Sequence, residues 1–298
     1  MNVEKTDSRG RATFHHIEGR TDVRPTEREI RWLKHIERHG PQSSEFLFEL
    51  TRDTHRCKDT ALRDMQKLRA GGYLTLPQQQ RAIERAEFNP YIYDLTRRTR
   101  DYLSTLGLAE NTVRPTGHWW HGYTISCVTG AIDIAAARAG IRYIPAHQIL
   151  AIKGVDIAIP IGRSKLIPDQ LFALDYGDSY RVIAVEVDRG TEPKSSSAKR
   201  KSWVKSIEQY KHVLERGTYR QHYGLKAHLN VFWVFNTSRN QARFLETLAE
   251  IGGQSERYYL TANYSLETKT FGELKGLGHL INPWSSGRER QVCLLKTA

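Results

Sequence analysis

The sequence predicts a mixed α/β (α+β) protein of two domains: a small helical domain carrying a β-hairpin, then a larger one of helices against a mixed sheet. Three observations lead there. Amphipathic helical stretches follow one another from Pro25 to Ala70 and stop at Gly71-Gly72. Between Pro168 and Asp188 two β-rich runs, Leu171–Leu174 and Arg181–Asp188, flank the turn residues Asp175 to Ser179. Beyond that hairpin, helical stretches alternate with the apolar run His228–Phe235, which requires helices packed on a sheet. A chain of 298 residues has room for two domains of ordinary size.

Taken in order, Met1 to Val23 is polar and reads as a flexible leader, and residues 24–108 form the first domain. Its first helix spans Pro25 to Gly40, capped by Thr26, boxed by Glu29 and ended by Gly40, with Ile30, Leu33 and Ile36 inward. Ser43 or Ser44 starts a short second helix carrying Phe46, Leu47 and Leu50. A third runs from about Thr54 to Ala70, with Leu62, Met65 and Leu68 inward and His55, Arg56, Lys58, Arg63, Lys67 and Arg69 on its other faces. Tyr73–Leu76 and Tyr91–Leu95 read as paired strands around a polar excursion, and Asp101–Leu108 as a further helix. Residues 109–117, with Pro115 and Gly117, form the linker, and residues 118–298 the second domain.

That domain opens with His118-Trp-Trp-His121 and a helix from about Tyr123 to Ala139. Ile149–Ile152 and Val155–Ile161 are expected as strand, followed by the hairpin, a helix over Ser195–Arg216 with Trp203, Ile207, Tyr210 and Leu214 inward, the buried strand, a helix over Asn240–Ile251 and a strand near Tyr258–Thr261. Side chains alternate faces along a strand, so Val182, Ala184, Glu186 and Asp188 share one face. Acids ending an apolar strand need a cation or water to face. With Asp169 across the hairpin, three carboxylates can converge, which is how oxygen ligands are presented to Mg²⁺.

Hydrophobic residues make up 39% of the chain and charged residues 26%, a soluble globular composition, and no apolar run approaches a membrane span. Three scattered cysteines, Cys57, Cys127 and Cys293, argue against a disulfide framework and a structural zinc site, and fit a reducing cytoplasm. The formal net charge of +12 points to a polyanionic partner, with nucleic acid the favoured class. Most of the excess falls after residue 110, with the carboxylate hairpin.

Three helices followed by a hairpin resemble a winged helix-turn-helix, whose third helix enters the DNA major groove. Such modules also serve protein–protein contacts. The order α-β-β-β-α-β, with Pro168-Asp169 and Glu186-x-Asp188 on paired strands, resembles the restriction-endonuclease-like, PD-(D/E)XK nuclease-like superfamily, with C-terminal additions. Both domains together, and the segment Glu186-Val-Asp-Arg-Gly-Thr-Glu192, resemble the replication-relaxation family of plasmid and mobile-element proteins. This implies binding of double-stranded DNA in plasmid replication or mobilisation, with a relaxase or replication protein as possible partner and a homodimer as a possible assembly. The superfamily resemblance implies Mg²⁺ (or Mn²⁺) on Asp169, Glu186 and the Val187 carbonyl. It departs from the pattern where the superfamily has Lys: here Asp188 stands, a base, a second ligand or the mark of a lost site.

A lysine can also come from the basic stretch downstream, and Lys205 is the candidate. Lys199, Arg200 and Lys201, like Arg56, Lys58, Arg63, Lys67 and Arg69, read as phosphate grips. Glu192 and Asp133 are further acids, Asp133 expected at the surface. His121, at a helix start, can meet phosphate or a bound water; His118 and His121 alone do not make a zinc site. Three functions stay open: a metal-dependent DNA endonuclease, a catalytically inactive DNA-binding accessory factor, and a winged-helix transcriptional regulator.

Overall fold

The computed structural model describes residues 17–81, 91–110, 112, 118–190, 192–196, 201–263, 284–286 and 291–294. The chain divides into two compact units, one within residues 1–111 and the other within 112–266 and 274–298.

In the first unit α1 (Glu27–His39) starts as its sequence dictates. The Thr26 hydroxyl accepts from the Glu29 N–H, while the Glu29 carboxylate accepts from the Thr26 N–H at 2.7 Å. The helix ends where the Gly40 N–H donates to the Ile36 carbonyl. Leu33 and Ile36 are buried and Ile30 half-buried. Trp32, missing from the expected stripe, is fully buried because its indole N–H reaches the Leu47 carbonyl (2.6 Å) and Thr51 Oγ1 (2.9 Å).

Helix α2 (Ser44–Leu50) is capped by Ser43, and α3 spans Lys58–Ala70. The third helix therefore begins four residues later than expected. The His55 N–H closes a turn on the Thr51 carbonyl, and the His55 ring, stacked 4.8 Å from Trp32, bridges Thr51 Oγ1 and Asp64. His55 is thus a core residue, not part of a basic face. Strands β1 (Gln42–Ser43), β2 (Leu74–Thr75) and β3 (Ile92–Leu95) form an antiparallel sheet in the order β1-β3-β2. The first of these is absent from the sequence reading; two residues carry no periodicity. Helix α4 (Gln78–Arg81) lies in the excursion, where Gln80 Oε1 accepts from the Ile92 N–H, and α5 (Arg97–Thr105) follows the sheet.

The end of the expected leader is built into this unit. The Arg20 N–H donates to the Ala70 carbonyl and Val23 is buried. Val23 lies so close to Gly71 that a Cβ there would sit 2.6 Å from Val23 Cβ. Gly71 has an ordinary αR backbone, so the demand is for space alone. Gly71→Ala is expected to cost about 1–3 kcal/mol by overpacking. In thermal melts the cost should shrink on a Val23→Gly background, which removes the Val23 Cβ; an unchanged cost there would rule out this contact as its source.

The second unit opens with α6 (Trp119–Arg138), which starts four residues earlier than expected. Its residues Tyr123 to Ala136 are buried in an unbroken run, and so is Asp133, at 8% exposure, against the expected surface position. Strand β4 (Arg142–Pro145) follows, then α7 (Ala146–Ala151). Ile149–Ile152 is hence mostly the end of a helix and not a strand. Short apolar runs do not separate the two by periodicity, and the sheet position is taken by Arg142–Pro145. Of Val155–Ile161 only β5 (Ile159–Ile161) is strand, in a separate hairpin with β6 (Ser164–Leu166). Next come β7 (Gln170–Asp175), β8 (Tyr180–Asp188), α8 (Trp203–Glu215), α9 (Thr218–Tyr223), β9 (Leu229–Phe235), α10 (Ser238–Ile251), β10 (Tyr259–Asn263), β11 (Trp284–Ser286) and β12 (Gln291–Val292).

Seven strands make one mixed sheet in the order β12-β11-β10-β9-β8-β7-β4. Strand β8 is antiparallel to β7 and parallel to β9. One face brings Leu171, Ala173, Val182, Ala184, Val231, Trp233 and Phe235 into a core with Trp203, Ile207 and Tyr210 of α8 and with Phe244 and Leu248 of α10. Glu186 and Asp188 share that face. Among the described residues no helix is long and apolar enough to cross a membrane.

Candidate active site

Four elements meet at the end of β8. The β7–β8 register pairs Gln170 with Val185, so Asp169, one residue before β7, falls opposite Glu186. Asp169 is fixed by the Val187 N–H, which donates to its Oδ2 at 2.8 Å. Its Oδ1 lies 3.2 Å from His121 Nε2 at the start of α6. Glu186 has a side chain only 1% exposed, and both its oxygens are held: Tyr210 of α8 donates to Oε1 at 2.6 Å and Lys201 to Oε2 at 2.6 Å. The Lys201 ammonium also lies 3.6 Å from Asp169 Oδ1 and 3.4 Å from Glu192 Oε1. The other oxygen of Glu192, Oε2, is buried with no hydrogen-bond partner among the described residues. Three carboxylates thus surround one ammonium.

The titration of these groups follows from that geometry. Burial pushes the Glu186 carboxyl up to about 7, against the attraction of Lys201 and with the help of Asp169's charge. Burial also pushes Asp169 up, but Lys201 and the His121 hydrogen bond outweigh it and hold Asp169 below the ordinary carboxylate range. Burial raises Glu192. Hydrogen bonding to Asp169 raises His121 despite its partial burial. Burial lowers the Lys201 ammonium's pKa, but Glu186, Asp169 and Glu192 together carry it well above its ordinary value, so the ammonium stays charged.

Asp188 is turned away from this cluster in its bonding. It is fully buried, its Oδ1 accepting from the Gly190 N–H at 2.6 Å and its Oδ2 from the Trp203 indole at 3.0 Å. Gly190 has φ +80, and a Cβ there would meet Asn236 Nδ2 at 2.6 Å, so the turn after Asp188 accepts only glycine without strain.

Lys205, the sequence candidate for the basic group, is exposed on α8, and the ammonium at the acids belongs to Lys201, expected as a phosphate grip. The reason is local. Were the helix to begin at Ser195, Lys201 and Lys205 would share one face. It begins instead at Trp203 behind the cap Ser202, which leaves Lys201 in the extended approach beside the strand ends. Tyr210, expected in the core, is there, and its hydroxyl adds a partner for Glu186; a buried tyrosine hydroxyl needs one. Lys199 and Arg200 lie outside the described residues. His118 is exposed at the start of α6, and Trp119 and Trp120 are half-buried against each other.

On α3 the expected grips divide. Lys58 pairs with Glu45, and Lys67 with Glu29 at 2.5 Å and Asp64 at 3.9 Å. Arg56 and Arg63 are exposed without an acid partner among the described residues, and Arg69 is half-buried.

The donor set suits a hard divalent cation. Asp169, Glu186 and Glu192 offer carboxylate oxygens, one of them buried and unpartnered, and their charge exceeds that of Lys201. No curated protein and no solved structure matches the chain. Residues 33–229, from within α1 to the start of β9, match the replication-relaxation family, and the chain belongs to that family.

Proposed function

We propose that this replication-relaxation protein binds DNA in plasmid or mobile-element replication, and that its second unit is a PD-(D/E)XK-like, metal-dependent DNA phosphodiesterase. The observation that carries the reading is the convergence of Asp169, Glu186 and Glu192 on Lys201 at the end of β8. Asp169 and Glu186 would hold Mg²⁺ or Mn²⁺, with Glu192 the further oxygen donor and the Val187 carbonyl the donor implied by resemblance. Such an ion lowers the pKa of bound water and stabilises charge on a phosphate.

The chain's own groups have distinct tasks. Tyr210 fixes the orientation of Glu186. Val187 fixes Asp169. His121, hydrogen-bonded to Asp169, can hold a proton beside the reacting phosphate. Lys201 supplies the ammonium that the superfamily pattern carries two residues after Glu186, and it reaches the acids from outside β8. In the first unit, three helices and the β2–β3 hairpin support a winged-helix reading, with Arg56 and Arg63 of the α3 region as phosphate contacts. Each phosphate neutralised would steepen the salt dependence of binding by about 0.9 in log–log slope.

A second reading, an accessory factor that binds DNA without cutting it, draws on Lys201 as well: its ammonium already bridges the acids a metal would bridge. One experiment separates the two. Purified full-length protein is incubated with supercoiled plasmid in Mg²⁺ or Mn²⁺, beside the Asp169→Ala, Glu186→Ala double variant, while calorimetry follows Mn²⁺ binding. Cleavage and Mn²⁺ heat in the wild type, both absent from the folded double variant, are expected. Mn²⁺ binding without cleavage on any DNA form favours the accessory factor, and absence of both sinks the metal site.

A further inference from the structure

The second unit carries another cleft at the far end of α8. Strand β9 starts where Leu229 pairs with Val182, four residues of β8 before Glu186. Helix α8 runs from Trp203, beside the acids, to Glu215, about 20 Å away at 1.5 Å per residue. At that end a cavity of about 740 Å³ opens between the close of α8, α9, the start of β9 and the 3₁₀ turn Gly253–Tyr258. Its size is that of a small-molecule site.

Its chemistry is one-sided. Lys211, Arg216, Arg220 and Arg257 line it against a single acid, Glu215. Arg216 and Arg257 are exposed and have no acid partner among the described residues. Beside the cations stands a flat aromatic wall. Arg257 lies 4.8 Å over the Tyr258 ring, and His228 stacks on Tyr258 at 5.4 Å and 26°. His228 is exposed and anchored by Arg220, whose Nη2 lies 3.2 Å from its Nδ1. Gly217 and Gly253, both at positive φ, border the cleft without side chains. At Gly253 a Cβ would come 3.1 Å from the Lys211 ammonium, which donates to the Ile251 carbonyl at 3.1 Å, so glycine leaves room for that cation at the edge of the cleft.

We propose that this cleft binds a nucleoside phosphate, free or as one nucleotide of a single strand. Guanidinium groups without acids fit a phosphate, and an exposed π-stack ending in His228 offers a base a surface to extend. A surface that only grips duplex phosphates needs neither concavity nor the stacked rings. The site is separate from the acid cluster, so its failure and the failure of the phosphodiesterase reading can be told apart.

The test uses full-length protein in EDTA, titrated with AMP, a 5′-phosphorylated dT hexamer and inorganic phosphate. AMP or the hexamer should bind saturably and at least tenfold more tightly than phosphate. The Arg216→Gln, Arg257→Gln double variant should weaken that binding at least tenfold with its melting temperature unchanged. The Asp169→Ala, Glu186→Ala variant should bind as the wild type does. AMP binding as tightly as the hexamer marks a free-nucleotide site, and hexamer binding alone marks a strand site. Phosphate binding as well as both, or full binding by the arginine double variant, overturns the proposal. Should that variant not fold, His228→Ala, at the exposed end of the stack, should weaken whichever of the two ligands the wild type binds by about fivefold or more, and unchanged binding overturns the proposal.

Discussion

Asp188→Ala is expected to destabilise the protein by about 2–4 kcal/mol while leaving Asp169, Glu186 and Glu192, the proposed metal ligands, in place. The indole N–H of Trp203, 2% exposed, would lose its acceptor inside the core, a loss of about 1–3 kcal/mol. The Gly190 N–H would lose a charge-assisted bond, but Gly190 is exposed and water replaces part of it. Against these stands the relief of no longer burying a carboxylate, which keeps the total below the sum. For a unit of this size the melting temperature should fall by about 5–15 °C. Trp203→Phe removes the orphaned donor in advance, so Asp188→Ala should cost less on that background. Asp188→Asn keeps an acceptor but sets its amide against one of the two donors, and should cost about half as much. Mn²⁺ affinity of Asp188→Asn should stay within twofold of wild type. A tenfold loss of Mn²⁺ affinity with the melting temperature retained would show Asp188 to be a ligand, contrary to its bonding to Gly190 and Trp203.

Asp188 also marks how far the sequence could be read. Strand alternation was enough to put it on the face of Glu186, and the hairpin was enough to put Asp169 opposite them. The helix following was legible from Trp203, Ile207, Tyr210 and Leu214. What alternation does not encode is which polar group each acid meets. That depended on where α8 starts. Ser195, Ser196 and Ser202 are all plausible caps, and only the cap at Ser202 sends Lys201 to the acids and the Trp203 indole to Asp188. Glu192 follows Gly190, a residue at positive φ with no side chain to pattern. In the first unit α1 was legible to its caps because Thr26, Glu29 and Gly40 are local signals. The start of α3 was not, because His55 is held by Trp32 of α1 and by Asp64 two turns into α3, contacts that no local signal announces. Ile149–Ile152 was misread because four apolar residues fit a strand and a buried helix equally well.

Glu186 should make metal-free protein less stable as pH rises from 5 to 8, and Glu186→Gln should remove most of that loss. The carboxyl titrates near its ordinary 4.5 when unfolded and at about 7 when folded. Between those values the folded state binds the extra proton, so the group's contribution is fully present below about 4.5, falls as pH rises and is gone above about 7. At 1.36 kcal/mol per unit the full swing is about 3 kcal/mol. His121, raised by Asp169, acts in the same direction: its contribution is present below 6.5 and lost as pH rises through its folded value. Glu192, raised by burial, acts in the same direction, and the two should leave a smaller residual slope in Glu186→Gln. Asp169 is held low, so its contribution is lost only toward acid and does not enter this window. Denaturant melts in EDTA at pH 5, 6, 7 and 8 measure both proteins. Adding Mg²⁺ should flatten the wild-type curve, since the ion favours the ionised carboxylate, and should do little for Glu186→Gln. Equal slopes for the two proteins in EDTA would mean that Glu186 is already ionised against Lys201 at pH 5, and that the cluster holds its charge without waiting for a metal.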